Sequence, residues 1–130
     1  MTAMSKVQEA SHRTMVAALV KPGVDILASL TPNKCNILHM AVGISGESGE
    51  LLDAVKKAVI YNKPLDRENV IEELGDLEFY MEGLRQELDI SREQTLAANI
   101  HKLFSSDKAR YKLGAYTDKQ AQDRADKQED

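Results

Sequence analysis

Ile44-Ser-Gly-Glu47-Ser-Gly-Glu50-Leu-Leu-Asp-Ala54-Val-Lys-Lys-Ala58 is the stretch whose periodicity decides the fold, and Val70-Ile-Glu-Glu73-Leu-Gly-Asp76-Leu77 repeats its logic one segment later. On a wheel of about 100° per residue with Glu47 as origin, Met40, Ile44, Leu51, Ala54, Val55 and Ala58 share one arc with the carboxylate, and Glu50 stands about 60° away at its edge. With Glu73 as origin, Val70, Leu74, Leu77, Tyr80, Met81 and Leu84 form the matching arc, and Asp76 lies about 60° to the same side. Both stretches are therefore predicted to be amphipathic helices. Each carries an acidic pair at i, i+3, a spacing that sets two carboxylates one turn apart on one face.

Working outward, Thr31 before Pro32 reads as an N-cap with proline at the first helical position, opening a long helix over 31–60. Tyr61-Asn-Lys-Pro-Leu-Asp66 breaks it, and Asp66 caps the next helix, 67–88. Ser91 with Gln94 has the capping-box pattern of a further helix over 91–105. Upstream, Ser5 with Gln8 opens a helix over 6–20, stopped by Lys21-Pro22-Gly23, and an apolar piece follows over 24–30. Thr117 with Gln120 can open a last short helix, although residues 118–130 are almost all polar and are expected to fray. Four main helices joined by short links predict an all-α, antiparallel, four-helix-bundle-like domain over 1–117.

A chain of 130 residues supports one modest core, which oligomerisation would extend. Its net charge of −4 argues against sequence-independent nucleic-acid binding, which needs a basic surface, and means that a phosphorylated ligand would require bound cations. The single cysteine, Cys35, excludes an internal disulfide; with no long apolar run and no apolar leader, the expected location is the cytoplasm, away from membranes.

An ionised carboxylate inside an apolar stripe costs several kcal/mol, as a rough figure, unless a cation or hydrogen bonds compensate it. Two such residues, Glu47 and Glu73, each with an acidic neighbour at the same offset, point to a shared cation. The short link makes the two helices antiparallel neighbours, and Glu50 and Asp76 then both lie roughly 15 Å from the turn. Four hard oxygen donors suit Mg²⁺ or Mn²⁺. The alternative is that these are solvated acids matched to Lys56, Lys57 and Arg85. Interior glycines sharpen the case: Gly43, Gly46, Gly49 and Gly75 each cost about 1 kcal/mol relative to alanine, which close helix approach or room for a ligand would offset.

At these residues the chain resembles the MazG-like all-α nucleotide pyrophosphohydrolases, whose signature is Glu-x-x-Glu, a spacer, then Glu-x-x-Asp. Here that is Glu47-Ser-Gly-Glu50 and Glu73-Leu-Gly-Asp76, flanked by Asn36-Ile-Leu-His-Met-Ala-Val-Gly43, Leu51-Leu-Asp-Ala-Val-Lys-Lys57 and Glu68-Asn-Val-Ile-Glu-Glu73. Asn99-Ile-His-Lys-Leu103 and Arg110-Tyr111 are similar to the family's C-terminal basic motif, with Phe104-Ser-Ser-Asp-Lys-Ala109 between elements that the family usually sets a few residues apart.

The resemblance implies Mg²⁺-dependent hydrolysis of a nucleoside triphosphate between its α and β phosphates, giving the monophosphate and pyrophosphate in a house-cleaning or pool-balancing role. It implies Glu47, Glu50, Glu73 and Asp76 as metal ligands and catalytic groups. Asn99, Lys102 and Arg110 would hold the substrate, with Lys57 a weaker candidate. It also implies a homo-oligomer, a dimer or a dimer of dimers, whose helices complete the bundle. The competing readings are a catalytically silent helical module for oligomeric binding or regulation, and an enzyme like the phosphoribosyl-ATP pyrophosphohydrolase of histidine synthesis. Neither acidic pair has the Glu-x-x-His pattern of di-iron bundles, which favours Mg²⁺ over iron.

Overall fold

Each long helix begins where a side-chain oxygen can take an orphan backbone N–H. In a computed structural model that describes residues 2–105, helix α1 (Ala3–Leu19) is capped by Thr2, whose hydroxyl accepts from the Ser5 N–H at 3.3 Å. Sequence reasoning puts that cap at Ser5; Thr2 takes the role and starts the helix earlier. The apolar piece that follows is itself a short helix, α2 (Gly23–Ser29), entered through Pro22. Thr31 opens α3 (Pro32–Val59) as expected, its hydroxyl accepting from the Lys34 N–H at 3.2 Å. α4 (Arg67–Leu88) starts on Asp66, which accepts from the Asn69 N–H at 3.1 Å. α5 (Arg92–Ile100) starts on the complete Ser91–Gln94 capping box and runs into a π-helical turn, His101–Ser105.

The protein is all-helical, with no strand among the described residues. Among those residues no helix is long and apolar enough to cross a membrane. The expectations for a helix after Thr117 and for a frayed tail over 118–130 lie outside the described residues.

The chain divides into two compact units, Met1–Cys35 and Asn36–Asp130. In the first, large apolar side chains of α1 and α2 stand in solvent: Leu19 is 76% exposed and Val24 74%. In the second, α3 and α4 form an antiparallel pair. Met40 meets Gly83, Gly43 meets Tyr80, and Glu47 meets Glu73 and Asp76, so the partner's number falls as the α3 number rises. α3 is unbroken through Gly43, Gly46 and Gly49, because the packing gained along this seam offsets their weak helix propensity. Ala54, in the predicted stripe, is the one buried residue among the described residues, whereas Val55 and Leu74, at the edges of the two stripes, are exposed.

At the corner between α4 and α5, ion pairs gather beside a residue that tolerates left-handed backbone. Asp89 closes α4 at φ 54°, a conformation that short polar side chains accept more readily than others. The Arg85 guanidinium, with 11% of its side chain exposed, lies 2.9 Å from Glu82 and 3.9 Å from Glu78, which also faces Arg92 on α5 at 3.9 Å. Hydrogen bonds from Gln86 and Arg85 hold the Glu82 carboxyl below the usual carboxylate range. Beside this corner a cavity of about 240 Å³ is walled by apolar side chains such as Ile44, Met81 and Leu84.

Candidate metal centre

The antiparallel register brings three of the four predicted carboxylates together. One oxygen each from Glu47, Glu73 and Asp76 lie within 4.8 Å of one another, with Glu47 and Glu73 half-buried and Asp76 exposed. This is the wheel's arrangement: the first acid of each pair sits in the apolar stripe and the second at its edge. Glu50 is exposed and stands outside the three-residue group. The physical reason is charge: three carboxylates already share the space, and a fourth on a flexible side chain is repelled into water unless a cation draws it in.

The electrostatics record that crowding. Burial pushes the Glu73 carboxyl above the usual carboxylate range, and a hydrogen bond with Glu47 pushes it the same way, followed by the charges of Glu47, Asp76 and Glu50. Two carboxyls in contact repel when both are ionised, and that repulsion favours holding a proton between them. A divalent cation would relieve the same repulsion better than a proton, because it draws on every oxygen in the group. The donor set is all carboxylate, without histidine or cysteine, and so fits a hard cation such as Mg²⁺ or Mn²⁺ rather than zinc or iron.

The glycines of the two helices fall into two kinds. A Cβ on Gly43 would overlap the Tyr80 ring, and one on Gly83 would overlap the Met40 sulfur, so these two mark where the helices touch. Gly46, Gly49 and Gly75 have nothing within 4 Å of a built Cβ, and each immediately precedes one of the acids. Sequence reasoning did not single out Gly83; its signal is a glycine inside a well-capped helix, where it costs about 1 kcal/mol with no turn to justify it.

The remaining predicted site residues are placed as follows. Lys57 is exposed and ion-paired with Asp53 at 3.0 Å; that hydrogen bond and the Asp53 charge raise its pKa, with Glu50 and Asp66 adding to the effect. Asn99, near the end of α5, and Lys102, in the π-helical turn, are exposed. Arg110 lies outside the described residues. His39 is not among the acids; its ring packs edge-on to Tyr80 at 6.3 Å.

Residues 36–111 match the MazG nucleotide pyrophosphohydrolase domain. The chain belongs to that family. The matched span of the MazG domain contains both acidic pairs, the whole α3–α4 link, and α5 with the turn after it. No curated protein and no solved structure is similar enough to count as a match.

Proposed function

We propose that this MazG-family chain is a Mg²⁺-dependent nucleoside triphosphate pyrophosphohydrolase that cleaves an NTP or dNTP between the α and β phosphates, with a house-cleaning or nucleotide-pool role in the cytoplasm. The observation that carries the reading is the carboxylate group Glu47, Glu73 and Asp76, inside the span that matches the family.

In this reading Glu47, Glu73 and Asp76 would hold the cation, for which Mn²⁺ can substitute, and Glu50 would complete the set from the solvent side. When bound, the cation supplies charge neutralisation for the triphosphate and lowers the pKa of its water. One of the four carboxylates then orients the attacking water and takes its proton, while the bond from the α phosphorus to the bridging oxygen breaks and pyrophosphate leaves with that oxygen. No side chain has to act as a nucleophile, since phosphoryl transfer depends mainly on positioning and charge. Lys57, Asn99, Lys102 and Arg110 bind phosphate oxygens, and Lys57 must exchange Asp53 for substrate to do so.

The working form is a homo-oligomer, a dimer or a dimer of dimers. Support comes from a second apolar stripe on α3, where Leu38, Val42, Leu52 and Val59 recur at helical spacing and are 58–72% exposed. Incubation with a panel of NTPs and dNTPs, modified bases included, in the presence of Mg²⁺ is expected to release pyrophosphate and the monophosphate. Release from none of them would sink the proposal.

A further inference from the structure

We propose that Gly43 and Gly83 are positioning residues: they set the α3–α4 spacing that lets Glu47 reach Glu73 and Asp76, and so set the affinity of the site for its cation. The inference rests on the reading of those acids as a metal site and adds what holds them at ligand distance.

The argument starts from register. Met40 against Gly83 and Gly43 against Tyr80 are successive steps along the seam, and the next step is Glu47 against Asp76. Both wedge contacts exist only because the glycine lacks a Cβ. At Gly43 an added methyl would fall on the Tyr80 ring carbons. The overlap takes in the ring's Cγ as well as two of its edge carbons, so turning the ring about its own axis gives no relief, and its edge-on neighbours are Phe79 at 5.1 Å and His39 at 6.3 Å. The relief available is separation of the helices, one turn from Glu47 on α3 and one turn from Asp76 on α4. Aspartate is the shorter acid and has the least reach to follow a receding partner. At Gly83 the opposing group is the flexible Met40 thioether, which can bend, so the same methyl there displaces the helices less. Gly46 sits on the same helix beside Glu47 with nothing against it and serves as the internal contrast.

Mn²⁺ binding to the full chain, measured by calorimetry or by the loss of the free-ion paramagnetic signal, tests this without turnover. The wild-type chain is expected to bind Mn²⁺. Gly43→Ala should weaken binding by about tenfold or more at unchanged helix content, since ligand sites lose function when loosened by about 1 Å. Adding Tyr80→Leu to that variant makes room for the methyl and should return the affinity to within about threefold of wild type, while Gly46→Ala should bind as wild type does. Three results overturn the inference: Gly43→Ala at wild-type affinity, a loss that Tyr80→Leu does not recover, or an equal loss in Gly46→Ala. If Gly43→Ala does not fold, Gly83→Ala carries the test; about threefold weakening, recovered by Met40→Ala, is expected, and wild-type affinity overturns the idea. A wild-type chain that binds no Mn²⁺ overturns both this inference and the metal-site reading beneath it, whereas binding that Gly43→Ala leaves intact overturns this inference alone.

Discussion

The two halves of the α3–α4 seam are built differently. In one, Gly43 and Gly83 let the Tyr80 ring and the Met40 sulfur press against the opposite helix; in the other, Gly46, Gly49 and Gly75 face open space and carboxylates gather instead of packed side chains. One half gains energy from contact. The other accepts like charges at close range, where burial first, then the hydrogen bond with Glu47 and the neighbouring charges raise the Glu73 pKa. The difference teaches that the packed half is what makes the strained half possible, because carboxylates would separate if nothing nearby held their helices together.

Breaking the charged half should give the largest effect. Glu50→Gln or Asp76→Asn removes charge stabilisation worth several kcal/mol, so kcat for the best nucleotide should fall on the order of a thousandfold with the circular dichroism unchanged. Full activity in both variants would return these acids to the solvated surface. Next in size is the cation itself: at a concentration of 100 Kd, Mg²⁺ should stabilise the folded chain by about 2.7 kcal/mol, seen as a higher Tm that chelation reverses.

The packed half should respond to a methyl with the opposite sign from the open half. Gly46→Ala has room, and should gain about 1 kcal/mol of stability in urea unfolding. Gly43→Ala makes the same local gain but meets Tyr80, and overpacking of this kind costs about 1–3 kcal/mol, so it should be the less stable of the two variants. Equal stability would remove the contrast between the halves.

The smallest effect is in pH. Glu73 binds its proton more tightly folded than unfolded, so the folded state carries more protons between the ordinary carboxylate pKa and the raised one. Without divalent cation, stability should therefore fall as pH rises through that window. Glu73→Gln should flatten the dependence, and Mg²⁺ should remove it, in melting curves taken across the acidic range.

The wheel made the depth of the acids legible. Glu47 and Glu73 fall within apolar arcs and are half-buried, while Glu50 and Asp76 fall at the edges and are exposed. The caps at Thr31, Asp66 and Ser91 were legible too, since each depends on an oxygen within three residues of the N–H it serves. Thr2 was missed for the same local reason, as it competes with Ser5 for one helix start. The unlike fates of Gly43 and Gly46 were not legible. They are three residues apart on one helix, and only the register of α4 decides which of them meets a side chain.

What the sequence by itself determined is the four main helices, the starts of three of them at Thr31, Asp66 and Ser91, the wheel positions of the acids and the family to which the chain belongs. These follow from local hydrogen bonds, from a 3.6-residue period and from an ordered motif, none of which needs a partner segment. Tertiary structure alone decided that Asp76 joins Glu47 and Glu73 while Glu50 stays out, and that Gly43 and Gly83 are contacts while Gly46 and Gly75 are not. Those outcomes depend on the spacing and register of two helices, quantities fixed to within an ångström by side chains that meet only after the chain has folded.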